Sequence, residues 1–304
     1  MKKILITVLP LLVFLSCDNE PIDAGLLNLE DPDTENPNTD EFAMTTYRFD
    51  TTTTVPIFGE IIVNADFDIS NNNVVTSVDT ESQFFGESLF SNSILFRNGS
   101  GQITSVNTLE NNIAQNELSL AYVGPNISMI NYDDLQDDSE DYSYTFSYSG
   151  NEVTRTSSNS TVSVTYLFNN NNRLIEKRAT QGGSVLLEET LTYDGNGNCI
   201  QSTLTGETSG QYTYSYDSFT NPLKAVFNDQ YLFSLFNADY DDEAAPVVAQ
   251  FHSANNWISI SSGGITTNFE ITTDSQNRIL TRSGNYNLGD GVSVSQDETF
   301  TYAN

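Results

Sequence analysis

Residues 193–200 read Tyr193-Asp194-Gly195-Asn196-Gly197-Asn198-Cys199-Ile200, and residues 216–223 repeat the figure as Tyr216-Asp217-Ser218-Phe219-Thr220-Asn221-Pro222-Leu223. In each, an aromatic residue closes an alternating run, a turn rich in Asn, Asp or Gly follows, and an aliphatic residue opens the next run. Asn-Gly and Asp-Gly supply the positive φ angles that tight hairpin turns require. The same spacing recurs from Phe67 to Val74, Phe96 to Ile103, Phe251 to Ile258 and Thr272 to Ile279. Shortened copies run from Phe168 to Leu174, Tyr148 to Val153 and Tyr122 to Ile127.

The aliphatic anchors at 74, 103, 127, 153, 174, 200, 223, 258 and 279 are 21 to 35 residues apart, which marks a repeat architecture. Within a unit the period is two: Tyr142, Tyr144, Phe146 and Tyr148 share one face, as do Tyr212, Tyr214 and Tyr216, while Ser and Thr fill the other. The spacing therefore predicts an all-β chain, an antiparallel meander of about eighteen strands in repeated hairpins. A sheet so wide must hide one face and both edges, so it is expected to curl strongly or to close as a soluble barrel around its aromatics. A membrane-spanning barrel would need that polarity reversed. No helix is expected beyond the first residues. Between 223 and 258 the period lengthens, and Asp239-Tyr240-Asp241-Asp242-Glu243 reads as an inserted loop.

With Tyr193-Asp194-Gly195, Tyr216-Asp217 and the terminal Thr299-Phe300-Thr301-Tyr302, the stretch 67–302 resembles the tyrosine-aspartate repeats of Rhs-type bacterial proteins. It resembles more closely the Bacteroidetes surface lipoproteins of unknown function that string such units into a large porin-like sheet. The resemblance implies an architecture and carries no catalytic motif.

The chain opens Met1-Lys2-Lys3, continues with an apolar stretch from Ile4 to Leu15 and reaches Ser16-Cys17, the plan of a secretory signal too short to span a membrane. Phe14-Leu15-Ser16-Cys17 resembles the lipobox of bacterial lipoproteins, which implies lipidation of Cys17. Residues 17–41 carry acidic residues and three prolines but no base, and read as a disordered, self-repelling tether. The expected organisation is a signal peptide over 1–16, the tether over 17–41 and a repeat β domain over 42–304. Asp18-Asn19-Glu20 resembles the export signals of Bacteroidetes surface lipoproteins, so the expected address is the outer membrane, lipid-anchored and facing outward, with the periplasmic face as the alternative.

Forty-one acidic residues against 11 basic ones give a formal charge of -30, which repels phosphate and excludes nucleic acid as a partner. One histidine and two cysteines remove His-rich zinc sites and disulfide frameworks. Cys199 is expected to pack as a small apolar residue, Trp257 as core, and His252 as a surface or turn residue on a strand. For a hard cation the candidates are Asp133, Asp137 and Asp138 in one acidic cluster and Asp239, Asp241 and Asp242 in another, with calcium the only ion considered. Asp194-Gly195-Asn196-Gly197-Asn198 has alternate oxygens but lacks the closing glutamate of a helix-loop-helix calcium loop; solvated loops account for all three stretches. No nucleophile elbow or phosphate loop is present, and no cofactor is expected. The sequence thus points to a surface binding or structural module engaging a neighbouring outer-membrane protein or an extracellular glycan. A carbohydrate-active enzyme with paired carboxylates and a calcium-dependent adhesin stand as alternatives.

Overall fold

A computed structural model describes residues 43–303 except 57, 58, 85, 290 and 291; Cys17 and the tether lie outside the described residues. Nineteen strands follow one another. The first seven are β1 (Met44–Val55), β2 (Gly59–Ile69), β3 (Val75–Phe84), β4 (Glu87–Arg97), β5 (Ile103–Glu110), β6 (Ile113–Val123) and β7 (Asn126–Asp134). The next seven are β8 (Tyr142–Ser149), β9 (Glu152–Ser157), β10 (Val162–Phe168), β11 (Leu174–Gln181), β12 (Ser184–Tyr193), β13 (Cys199–Gly206) and β14 (Gly210–Thr220). After a helical segment come β15 (Asn255–Ser262), β16 (Ile265–Asn268), β17 (Glu270–Thr273), β18 (Ile279–Gly289) and β19 (Val292–Tyr302).

Apart from β16 and β17, each strand pairs antiparallel with both of its sequence neighbours, and β19 pairs antiparallel with β1, so the meander closes on itself. β16 and β17 are two pieces of one strand broken at Phe269: the first pairs with β15 and the second with β18. Counting them as one gives eighteen, and only an even number lets an antiparallel meander close with its first and last strands antiparallel. At the break the Phe269 ring lies where a Cβ on Gly284 of β18 would sit, so Gly284 has no room for a side chain. That aromatic-on-glycine contact packs the break against β18.

The wall's polarity follows the alternation. On β2, Ile61, Val63, Ala65 and Phe67 are buried, whereas Glu60, Asp66 and Asp68 are exposed. On this strand carboxylates stand on the outer face and the aromatic on the inner one, the reverse of a barrel that meets lipid.

The two ends of the wall use different turn chemistry. At one end, five-residue turns over 70–74, 98–102, 169–173, 194–198 and 274–278 share one plan. The first residue's N–H donates to the carbonyl of the fifth, the fourth residue's N–H donates to the carbonyl of the first, and the fourth is left-handed: Asn73, Gly101, Asn172, Gly197 and Asn277. In four of them the first side chain, Asn98, Asn169, Asp194 or Asp274, accepts the N–H groups two and four residues on through Oδ1. Asn and Asp recur here because only a short acceptor reaches its own backbone in this way. At the other end, Asn111-Asn112, Gly182-Gly183 and Gly263-Gly264 have both residues at positive φ, the requirement of a type I′ hairpin.

The residue after each five-residue turn is the buried anchor, so Val75 and Cys199 face inward rather than Val74 and Ile200; the turn, not the count from the tyrosine, sets the phase. The tyrosines have a separate role. Tyr148, Tyr193, Tyr216 and Tyr302 donate their hydroxyls to the carbonyls of Ile127, Leu174, Cys199 and Ile279 at 2.6–2.9 Å, and Tyr122 does the same to Ile103. Each hairpin is thus fastened to the anchor of the preceding one. Tyr193→Phe and Tyr302→Phe should each lower stability by about 1 kcal/mol, read as a shifted urea midpoint at unchanged slope.

The expectation of no helix is wrong. Between β14 and β15 the chain forms α1 (Pro222–Val226), a 3₁₀ turn (Asn228–Gln230), α2 (Tyr231–Phe236) and α3 (Ala245–Val247), which continues as a π-turn (Val248–His252). Asn221 caps α1 through Oδ1 and Pro222 sits at its first position. Leu223, expected to open a strand, is instead buried in α1, and the inward residue of β15 is Trp257 rather than Ile258. The segment fills the ring. Phe227 meets Tyr47 of β1 and Phe67 of β2, Phe233 packs with Ile103, Val106 and Leu118 of β5 and β6, and Phe236 meets Phe146 of β8 and Tyr166 of β10.

Candidate functional site

Charged side chains in phase with the inward aromatics point at this insert, and most of them bond to it. Arg155 of β9 donates through Nη1 to the carbonyls of Phe236 and Ala238, the second at 2.8 Å, and its guanidinium lies over the Tyr144 ring. Lys177 of β11 donates through Nζ to the carbonyls of Asp239 (2.9 Å) and Asp242 (2.7 Å). Lys177 is 1% exposed, and burial pulls its pKa below the usual lysine value. Glu189 of β12 accepts the N–H groups of Ala244 and Ala245 and the Ser202 hydroxyl at 2.7–3.0 Å. The carboxylate caps the first turn of α3, where free N–H groups need an acceptor. Arg97 of β4 pairs with Asp229 at 2.8 Å, and the Tyr231 hydroxyl accepts the Leu174 N–H at 2.8 Å.

Glu243 joins this ring of contacts beside Glu189. Burial first, then the charge of Glu189, push its carboxyl up to about 8, with Tyr212 as its hydrogen-bond partner. Folded protein thus keeps this group protonated at neutral pH, while the unfolded chain releases the proton near the ordinary value of about 4.5. The stability it contributes is complete below about pH 4.5 and is lost as pH rises through about 8. Because Glu243 is only half-buried, a loss of about 2 kcal/mol is expected between pH 5 and pH 9. Glu243→Gln should remove that component, and urea unfolding of both proteins at the two pH values measures it. Parallel profiles would sink the assignment.

A second buried cluster closes the seam between β18, β19 and β1. Arg282 and Glu298 stand directly opposite each other and are joined by two bonds of 2.7 and 2.6 Å. Glu298 also accepts the Tyr47 hydroxyl at 2.7 Å and the Gln296 amide at 2.6 Å, and Gln250 of the insert donates to Tyr47 at 3.0 Å. The Arg282 guanidinium lies near the rings of Trp257, Phe269 and Phe300.

The residues singled out by sequence are dispersed. Trp257 and Cys199 are core, and burial pushes the Cys199 thiol up to about 12. His252 is not on a strand at the surface; it lies half-buried in the π-turn against the Tyr231 ring, and burial with the Lys224 charge pulls its imidazole down to about 3. Of the cation candidates, Asp133 is exposed on β7, and Asp137 and Asp138 stand in the following connection, where Asp137 accepts the Ser139 N–H and hydroxyl. Asp239, Asp241 and Asp242 belong to the insert: Asp239 is exposed and Asp241 half-buried, while Asp242 is 2% exposed and its carboxylate accepts the Asp239 N–H. Asp194 uses its carboxylate on its own turn, whose bonds hold it below the usual range. Among the described residues there is no group of three His, Cys, Asp or Glu suited to a metal ion. Missed by the sequence reading were Arg155, Lys177, Glu189, Arg282 and Glu298; their signal is a charge falling in phase with an apolar alternation, as Lys177 does with Ala179.

No family model matches the chain, and no curated protein does. Among solved structures it is similar to a porin-like protein from Bacteroides uniformis, 9% identical, with 86% of this chain and 98% of that one covered at a TM-score of 0.47. It is also similar to a porin-like protein from Bacteroides vulgatus, 11% identical, with 86% and 98% covered at a TM-score of 0.29.

Proposed function

We propose that the chain is a lipid-anchored binding or structural module of the outer membrane, displayed on the cell surface, whose barrel is a rigid mount rather than a conduit or a catalyst. The supporting observation is how the interior is filled: the insert occupies the ring, and Arg155, Lys177 and Glu189 bind its backbone. Groups so engaged hold a fold together, and the carboxylate of Glu189 already accepts three hydrogen bonds. What remains for recognition is the outside and the loops, where rigid scaffolds carry their binding residues.

The anchor is assigned to Cys17, with residues 17–41 as the tether before the repeat domain. Multiple acyl chains hold a protein on a bilayer without basic residues, which suits a chain with this excess of acid. In cells, Cys17→Ser should move the protein from the membrane pellet to the soluble fraction, while surface protease should remove the wild type from intact cells. Persistence of the variant in the pellet would overturn the anchor, and protection of the wild type would overturn the outward address.

A further inference from the structure

The two ends of the barrel differ in what they expose. The first and last described residues lie at the end of the five-residue turns, where Ala303 N–H donates to Ala43 O at 2.8 Å, and the chain before Ala43 joins the barrel at this end. The far end consists of hairpin tips, and six large apolar side chains stand exposed on or beside them, Leu89, Phe90, Ile113, Leu135, Val185 and Ile265, against Phe96, Val123 and Phe219 at the tether end. Three adjoin. Asn111 N–H donates to Phe90 O, Ile113 pairs with Glu110 across the next turn, and Leu135 N–H donates to Gln115 O. Phe90, Ile113 and Leu135, at 52%, 59% and 47% exposure, therefore share one arc of the rim over β4–β7.

The same arc is acidic, through Glu87, Glu110, Asp137, Asp138 and Glu140. No described cation lies at this end. Arg48, Arg97, Arg173, Lys224 and Arg278 belong to the tether half, and Arg155, Lys177, Arg178 and Arg282 lie along the middle of their strands. Exposed apolar area and uncompensated like charge both disfavour the bare surface, and one kind of partner relieves both. An anionic headgroup surface would be repelled.

We propose that this rim is a docking surface for a cationic amphipathic protein segment, which sets Lys or Arg among the carboxylates and apolar side chains on Phe90, Ile113 and Leu135. The inference deepens the surface-module reading, because this face is the one turned away from the tether.

The test uses purified protein and two probes, a short amphipathic lysine/leucine peptide and polylysine, with affinities read by fluorescence anisotropy at physiological salt. Replacing the three apolar residues together (Phe90→Ser, Ile113→Asn, Leu135→Ser) should weaken the amphipathic peptide about tenfold and leave polylysine unchanged, with an unchanged thermal melt. Glu87→Gln, Glu110→Gln and Glu140→Gln together should weaken both probes. The same loss of charge in the tether half (Asp68→Asn, Asp79→Asn, Glu152→Gln) should weaken the amphipathic peptide less than twofold. Equal effects of the two charge sets, or indifference of the peptide to the apolar set, would overturn the proposal, as would binding of a neutral glycan on this rim in place of the peptide. Because these measurements need no membrane, their failure is distinguishable from failure of the Cys17 anchor.

Discussion

Glu298→Ala should destabilise the protein by about 3–5 kcal/mol, because it leaves the Arg282 guanidinium, 1% exposed, without the carboxylate that meets it through two hydrogen bonds. The Tyr47 hydroxyl loses its acceptor in the same step, and burial together with the Glu298 charge already holds that phenol well above its ordinary value. A carboxylate this deep is itself costly to desolvate, so the pair is a poor source of net stability but a severe loss when halved. The joint replacement Arg282→Met with Glu298→Leu should therefore recover most of the deficit of Glu298→Ala. Urea denaturation of Arg282→Met, Glu298→Leu and the double variant closes the cycle. A single-variant loss below about 1 kcal/mol would show that the cluster is hydrated and that the seam does not depend on it.

Phe236→Ala tests the insert in the same way. Phe236 is fully buried with ring centroids 5.3 Å from Phe146, 4.6 Å from Tyr166 and 6.4 Å from Phe168, so its removal opens a cavity bounded by two wall strands, β8 and β10, and the insert. Truncating a buried phenylalanine costs about 3–5 kcal/mol, and the rigid wall offers little room to collapse. If the insert were a lid resting on a barrel stable without it, the loss would stay near 1 kcal/mol and the near-ultraviolet circular dichroism of the wall tyrosines would be unchanged.

How far the sequence announces all this varies along the chain. The figure Tyr193 to Cys199 is legible because its turn chemistry is local: an Asp that accepts its own N–H groups and a Gly at positive φ need no tertiary help. Alternation then counts the strands, and eighteen is the count once β16 and β17 are joined. The insert is not legible, since its helices run for three to six residues and owe their existence to the wall around them. Tyr231-Leu232-Phe233-Ser234-Leu235-Phe236 is as apolar as a buried strand of that length, and periodicity cannot separate the two. The interior charges were hidden for another reason: a lysine at 177 or a glutamate at 298 reads as surface until the phase of its neighbours is taken as stronger evidence than its charge.

The even strand count also constrains how such a chain can grow or shrink over evolutionary time. A duplication or loss of one whole hairpin leaves the last strand antiparallel to the first, so the circumference changes in steps of two strands and the ring still shuts. Gain or loss of a single strand would bring the two terminal strands together parallel, or leave an unpaired edge open to other chains. Lengthening by pairs is thus the heritable increment of this architecture, and the repeat unit visible in the sequence is the smallest piece that selection can add without tearing the wall.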